Sequence, residues 1–276
     1  LGIIILFIVT GWWVMTSPVA ADISLSLHEA KILLAGGQYG KDFFEINPPL
    51  YLYLYMPPII ASQFSSLNLF ITFQLYILLL IAGSLYLCRR LTLSSRKSPQ
   101  AIVRDPPLRL QNNNILLLTL AFILLILPTT IAFGQREHLL LIFTLPYLFL
   151  LAKRLENSKI NPFFACFIGI IAGLGFAIKP FFCLSFALLE IYYLSHKRKW
   201  LAWLRPEVVA LGSVILTYLM VIWVFHQGYF NNVMPLALRL YYQGFAENWL
   251  SVCCLPGFVT VVICAILYLV TRNYDT

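Results

Sequence analysis

The residues best suited to chemistry are acids and cations set between long apolar runs. Asp22, Asp42 and Glu45 fall within one polar stretch, and Arg136, Glu137, His138 and Lys179 stand at the edges of later apolar segments. A carboxylate can take a proton from a hydroxyl or ligate a divalent cation, and a fixed cation can receive developing negative charge. Each residue also has a plainer reading. Asp22 directly precedes a helical pattern and is placed to cap it. Asp42 and Glu45 would equally solubilise a loop tip, Lys179 would snorkel to a membrane interface beside Pro180, and Arg136 and Glu137 would pair locally in a solvated turn. Charge near membrane depth is costly and tends to be functional, which weighs against the plainer reading of the two cations. His28 and His138 share no two-ligand spacing on one helix face, so no metal or other cofactor is called for, although oxygen ligands for a divalent cation are present.

The elements that hold these residues follow from composition. The chain has 276 residues, of which 61% are hydrophobic and only 11% charged, and its mean hydropathy is +0.84. Soluble domains carry roughly a quarter charged residues. Disorder, a coiled coil, a secreted disulfide scaffold and a large soluble catalytic domain are excluded, and an all-α integral membrane protein is expected. At about 20 residues per crossing there is room for roughly eight spans. They are read at 2–15, 69–88, 115–133, 139–152, 163–178, 181–195, 208–225 and 250–271. The six cysteines, Cys88, Cys166, Cys183, Cys253, Cys254 and Cys264, lie in or beside apolar runs without metal-ligand spacing and read as packing residues. The first residue, Leu1, already lies inside an apolar run, so a fragment of a longer protein is expected.

A further apolar stretch, 49–64, is interrupted by Pro57-Pro58, and its unbroken part from Leu50 to Met56 would rise only about 10 Å as a helix. Counting it as non-crossing and starting Leu1 inside places fourteen of the 19 Lys and Arg residues on the inner side and five outside, as the positive-inside rule favours. Most inner cations belong to the basic loop 89–114 and to His196-Lys197-Arg198-Lys199. The net charge of +8 therefore reports topology and contact with anionic lipid rather than nucleic acid, because no basic stripe with interleaved aromatics accompanies it. Segment 49–64 then lies at the outer interface, with Tyr51, Tyr53 and Tyr55 at headgroup level. The whole chain is read as one polytopic domain whose acids collect in the outer loops.

Residues 16–68 form the longest outer loop, and a connection of that length is usually functional. Ile23, Leu27, Ala30 and Leu34 recur at helical spacing opposite Ser24, His28 and Lys31, the pattern of an amphipathic helix lying on a bilayer, and Gly36-Gly37 ends it.

The order of Asp22, a short helix, Gly36-Gly37-Gln38-Tyr39, Asp42 and Asn47-Pro48-Pro49-Leu50 resembles the first outer loop of the GT-C membrane glycosyltransferases. Nearest among these is the branch of dolichyl-phosphate-mannose protein mannosyltransferases and aminoarabinose lipid A transferases. Phe133-Gly134-Gln135-Arg136-Glu137-His138 and Ile178-Lys179-Pro180-Phe181 add two landmarks, so the resemblance covers residues 1–195. It implies a GT-C-like fold and inverting transfer of a sugar from a polyprenyl-phosphate donor to a lipid, glycan or protein acceptor at the outer face of a bacterial-type inner membrane. Asp22 would be the catalytic base. Arg136 and Lys179 would face the lipid phosphate, and Tyr39, Asp42, Asn47, Glu137 and His138 would complete the substrate-binding set. The family usually continues with further spans and often an outer C-terminal domain, and its match to 226–249 is poor. The rival readings are a transporter or flippase of a lipid-linked sugar or small solute and an inactive assembly subunit.

Overall fold

The protein is described by a computed structural model that covers residues 2–94, 119–121, 123–124, 132–198 and 200–244. Among them the chain is all-helical, its one β-type pairing being an isolated bridge between Tyr39 and Phe43. The helices are α1 (Gly2–Thr16), α2 (Ala21–Leu34), α3 (Leu50–Phe64), α4 (Leu69–Ser94), α5 (Arg136–Leu155), α6 (Pro162–Phe176), α7 (Pro180–Lys197), α8 (Pro206–Phe225) and α9 (Met234–Gly244). A 3-10 turn at Trp200–Leu204 precedes α8 and a π turn at Tyr229–Val233 precedes α9.

Among the described residues three helical segments are long and apolar enough to cross a membrane: Leu69–Thr92, Arg136–Leu155 and Pro206–Phe225. A fourth arises if α1 and α2 are joined as one broken span, the two being bent by 78°. The expected spans at 2–15 and 163–178 appear as helices of 15 residues, about 22 Å long against roughly 30 Å of hydrocarbon. The expected span at 250–271, most of that at 115–133, the basic residues from Arg96 to Arg109, Glu247 and the cysteines Cys253, Cys254 and Cys264 lie outside the described residues.

Segment 49–64 departs from expectation in two ways. The α3 helix runs unbroken through Pro57 and Pro58, although an interior proline removes a hydrogen bond and costs about 3 kcal/mol. Its packing against α2 and α4, which buries Tyr51, Leu52, Tyr55 and Ile59, outweighs that loss. For the same reason Tyr51 and Tyr55 sit in the protein core rather than at headgroup level. The hydroxyl of Tyr55 donates to the Gly134 carbonyl at 2.7 Å, tying α3 to the turn before α5.

The α6 helix is the centre of the second half. Asn161 caps it by accepting from the backbone N–H groups of Phe163 and Phe164 at 2.9 and 3.3 Å, and Pro162 occupies its first position. Its small residues Ala165, Gly169, Ala172 and Gly173 let α8 approach so closely that a Cβ on Gly169 would stand 2.2 Å from the Glu207 carbonyl oxygen. Buried charges fasten α5, α7 and α8 at the end remote from Arg136. Arg154 grips Glu207 through two bonds of 2.9 and 3.0 Å, while Arg205 and the Tyr147 hydroxyl both donate to Glu190.

Candidate active site

The amphipathic helix forms as its periodicity predicts. Ile23, Leu27 and Ala30 are buried while Ser24, His28 and Lys31 are exposed, and only Leu34, at the last turn, escapes burial. Its C-terminus closes through backbone bonds from Gly36 to Leu33 and from Gly37 to Ile32, with Gly36 at φ +91° where a side chain would be strained. Asp22 is not the cap. Helix α2 starts at Ala21 after Ala20, so Asp22 lies within the first turn, makes no capping bond and is exposed. Among the described residues it has no hydrogen-bonding or ionic partner. At i, i+4 and i+7 it shares one helix face with Ser26 and Glu29, both buried, and so stands at the open end of a polar arc.

That arc leads to a cluster of charges. Glu29, 5% exposed, accepts from the Tyr51 hydroxyl at 3.4 Å. The Arg136 guanidinium lies 5.2 Å from the centre of the Tyr51 ring and 3.7 Å from a Glu45 carboxylate oxygen. Asn47 fixes Glu45 from the other side, donating its backbone N–H at 2.7 Å and its side-chain amide at 2.5 Å to the same oxygen. The turn that carries Glu45 is held in turn by tyrosines: Tyr39 donates to the Asn47 carbonyl at 3.4 Å and Tyr229 to the Ile46 carbonyl at 3.2 Å. Tyr218 accepts from the Leu50 N–H at 3.0 Å. Burial and the neighbouring carboxylates hold the Tyr39 and Tyr51 hydroxyls protonated well above their ordinary range.

Burial, followed by the negative charge of Glu45, pushes the Glu29 carboxyl up to about 7, against lowering by the Tyr51 hydrogen bond and Arg136. Glu29 is therefore a carboxyl that titrates near neutral pH in a protein-lined site, a property common where acid–base chemistry occurs.

The remaining expected site residues divide. Lys179 pairs with Glu137, joining the start of α7 to the start of α5, so Arg136 and Glu137 do not pair with each other and Lys179 is not simply snorkelling. Asp42 is exposed and accepts the Gln38 N–H at 2.8 Å, which stabilises its own turn, whereas Glu45 points into the cluster. His138 is occupied differently from the expected substrate-binding role. Its Nδ1 accepts the Gly134 N–H at 2.8 Å and its Nε2 lies 2.9 Å from the Leu124 carbonyl, which fixes the neutral ring with its proton on Nε2. Both nitrogens thus hold backbone, because burying this turn leaves polar groups that need partners. Among the described residues no three His, Cys, Asp or Glu side chains are grouped to hold a metal ion.

Glu29, Tyr51, His226 and Tyr229 join the site without having been singled out by sequence spacing. His226 follows α8 directly, bonds to the Tyr53 hydroxyl and lies edge-on to Tyr39, and Tyr229 also meets Tyr39 edge-on, at 5.6 Å between centroids. The readable signal for Glu29 is its seven-residue spacing from Asp22.

No family model, curated protein or solved structure matches this chain.

Proposed function

We propose that the chain is a multi-pass integral membrane glycosyltransferase. It transfers a sugar, with inversion, from a polyprenyl-phosphate donor to an acceptor hydroxyl at the outer face of the membrane. The observation that carries this reading is the cluster of the buried Glu29, the half-buried Glu45 and the cation Arg136, with Lys179 held by the adjoining Glu137 and the exposed carboxylate of Asp22 two turns earlier on the Glu29 side of α2. The resemblance of residues 1–195 to GT-C enzymes and the fourteen-to-five distribution of basic residues support the same site on the outer side.

In this mechanism Asp22 takes the acceptor proton as the acceptor oxygen attacks the anomeric carbon opposite the phosphate. The bond from that carbon to the phosphate oxygen breaks with its electron pair on phosphate, and the positive charges of Arg136 and Lys179 stabilise the leaving group. Glu45, oriented by Asn47, keeps Arg136 in place, and Glu29 holds Tyr51 beneath it. The test is sugar transfer in proteoliposomes. Asp22→Asn is expected to lower turnover by about a hundredfold or more, the usual worth of a general base, while leaving thermal stability unchanged because Asp22 has no structural partner among the described residues. Undiminished turnover would remove Asp22 from the mechanism.

A further inference from the structure

At the end of the bundle remote from Arg136, a cavity of about 370 Å³ opens between the last turns of α4 and the start of α6. Arg90, Leu91, Ile160, Asn161, Phe163 and Phe164 line it, so it offers one cation, one amide and four apolar side chains, and no carboxylate. Most cations at this end are already spoken for. Arg154 and Arg205 pair with Glu207 and Glu190, Lys153 pairs with Glu156, and Lys197 donates to the Leu155 carbonyl and to Asn157. Arg90 is different. Its guanidinium lies 5.1 Å from the centre of the Phe164 ring, which holds it at the cavity, and among the described residues its N–H groups have no carboxylate or carbonyl partner. Asn161 spends its Oδ1 on the Phe163 and Phe164 N–H groups, at 2.9 and 3.3 Å. The first turn of α6 is therefore already capped, and what Asn161 has left to offer is its Nδ2 amide, a donor.

Depth in the membrane narrows the ligand. Arg90 follows Leu69 by about 32 Å along α4, one thickness of the roughly 30 Å hydrocarbon layer, and the apolar window of that helix ends at Thr92. That is the depth of lipid phosphates. Phe163 and Phe167, one turn apart on α6, are 85% and 50% exposed and extend an apolar flank from the cavity. A water-soluble anion would use Arg90 and Asn161 but gain nothing from the phenyl groups, and a neutral hydrocarbon would leave both donors idle. A phosphodiester that carries acyl chains uses both. Arg89 and Lys159, exposed beside Arg90 and Asn161 in the sequence, disfavour a headgroup that brings its own cation and favour one of net negative charge.

We propose that this cavity binds one anionic glycerophospholipid, its phosphate held by the Arg90 guanidinium and the Asn161 amide and an acyl chain lying along Phe163 and Phe167. The site rests on the chain being embedded in a membrane and is independent of sugar transfer. Arginine suits it because its planar fork can give two parallel hydrogen bonds to one phosphate.

The test counts lipids on the full chain by native mass spectrometry in neutral detergent. The probes are phosphatidylglycerol, phosphatidylcholine with the same acyl chains and water-soluble glycerophosphoglycerol. One phosphatidylglycerol per chain is expected to bind about fivefold or more tightly than phosphatidylcholine, the effect of one cation near the headgroup, and glycerophosphoglycerol at equal concentration is expected not to displace it. Arg90→Gln should weaken phosphatidylglycerol about tenfold, the worth of one hydrogen bond between charged partners. Asn161→Asp keeps a good helix cap but sets a carboxylate against the phosphate; it should weaken binding at unchanged thermal stability, and it stands in if the Arg90 variant fails to fold. Arg198→Gln removes the same charge from an exposed position at the same end and should leave binding nearly unchanged. Equal affinity for the two lipids, or an Asn161→Asp protein that binds as the parent does, would overturn the site. Equal losses from Arg90→Gln and Arg198→Gln would overturn it too, by showing diffuse attraction in place of a defined cavity. Displacement by glycerophosphoglycerol would overturn the lipid as occupant.

Discussion

Burying Glu29 beside Glu45 raises its carboxyl from the ordinary range to about 7, first by removal from water and then through the negative charge of Glu45. The folded protein consequently holds that proton more tightly than the unfolded chain. From roughly the unfolded carboxylate range up to about 7 the native state binds more protons, so this group makes stability fall as pH rises, by at most about 1.4 kcal/mol per pH unit. Above about 7 the charge is present in both states and the loss is complete. Glu29→Gln should therefore flatten the decline in melting temperature between pH 5 and 8, and an unchanged pH profile would show that Glu29 is not buried as described. Asp22, Tyr39, Asn47, Arg136 and Lys179 were legible in the sequence as a polar set beside apolar runs. Glu29 was not, because the apolar face was defined by Ile23, Leu27 and Ala30, and Glu29 lies about 100° round the helix from Ala30, buried by Tyr51 from a different helix. His138 misled for the opposite reason, since a histidine beside Arg136 and Glu137 gives no sign in one dimension that two backbone groups will claim both ring nitrogens.

At the scale of elements, apolar periodicity and glycine punctuation located the amphipathic helix α2 and its Gly36-Gly37 end. Proline spacing alone misread α3, because the packing of Tyr51, Leu52, Tyr55 and Ile59 that carries a helix through Pro57-Pro58 comes from α2 and α4. The closeness of α6 and α8 was equally hidden, since a glycine in an apolar run does not disclose what faces it. Gly169→Val should destabilise the protein by about 1–3 kcal/mol through overpacking against Glu207. Gly212→Ala, on α8 with open space at the same position, should be neutral or stabilising by up to about 1 kcal/mol. Thermal unfolding of both variants in detergent checks the pair, and a Gly169→Val protein as stable as the parent would contradict the close approach of the two helices.

For the whole molecule, high hydrophobicity leaves little chain for polar chemistry, and the structure concentrates what there is at the two ends of the bundle. One end carries the buried pairs Arg154–Glu207 and Arg205–Glu190, which fasten helices together. The other carries the carboxylate pair, Arg136 and Lys179. A transporter of a lipid-linked sugar and a transferase that consumes one both need an apolar body and a polar end, and they part on the fate of the donor. The decisive measurement is to load proteoliposomes with a radiolabelled polyprenyl-phosphate hexose, add lipid, glycan and peptide acceptors in turn and separate the products. The transferase account predicts one polyprenyl monophosphate released for each new glycoside, with the anomeric configuration opposite to that of the donor. Donor lipid that crosses the bilayer with its sugar still attached, and no new glycoside, would contradict it.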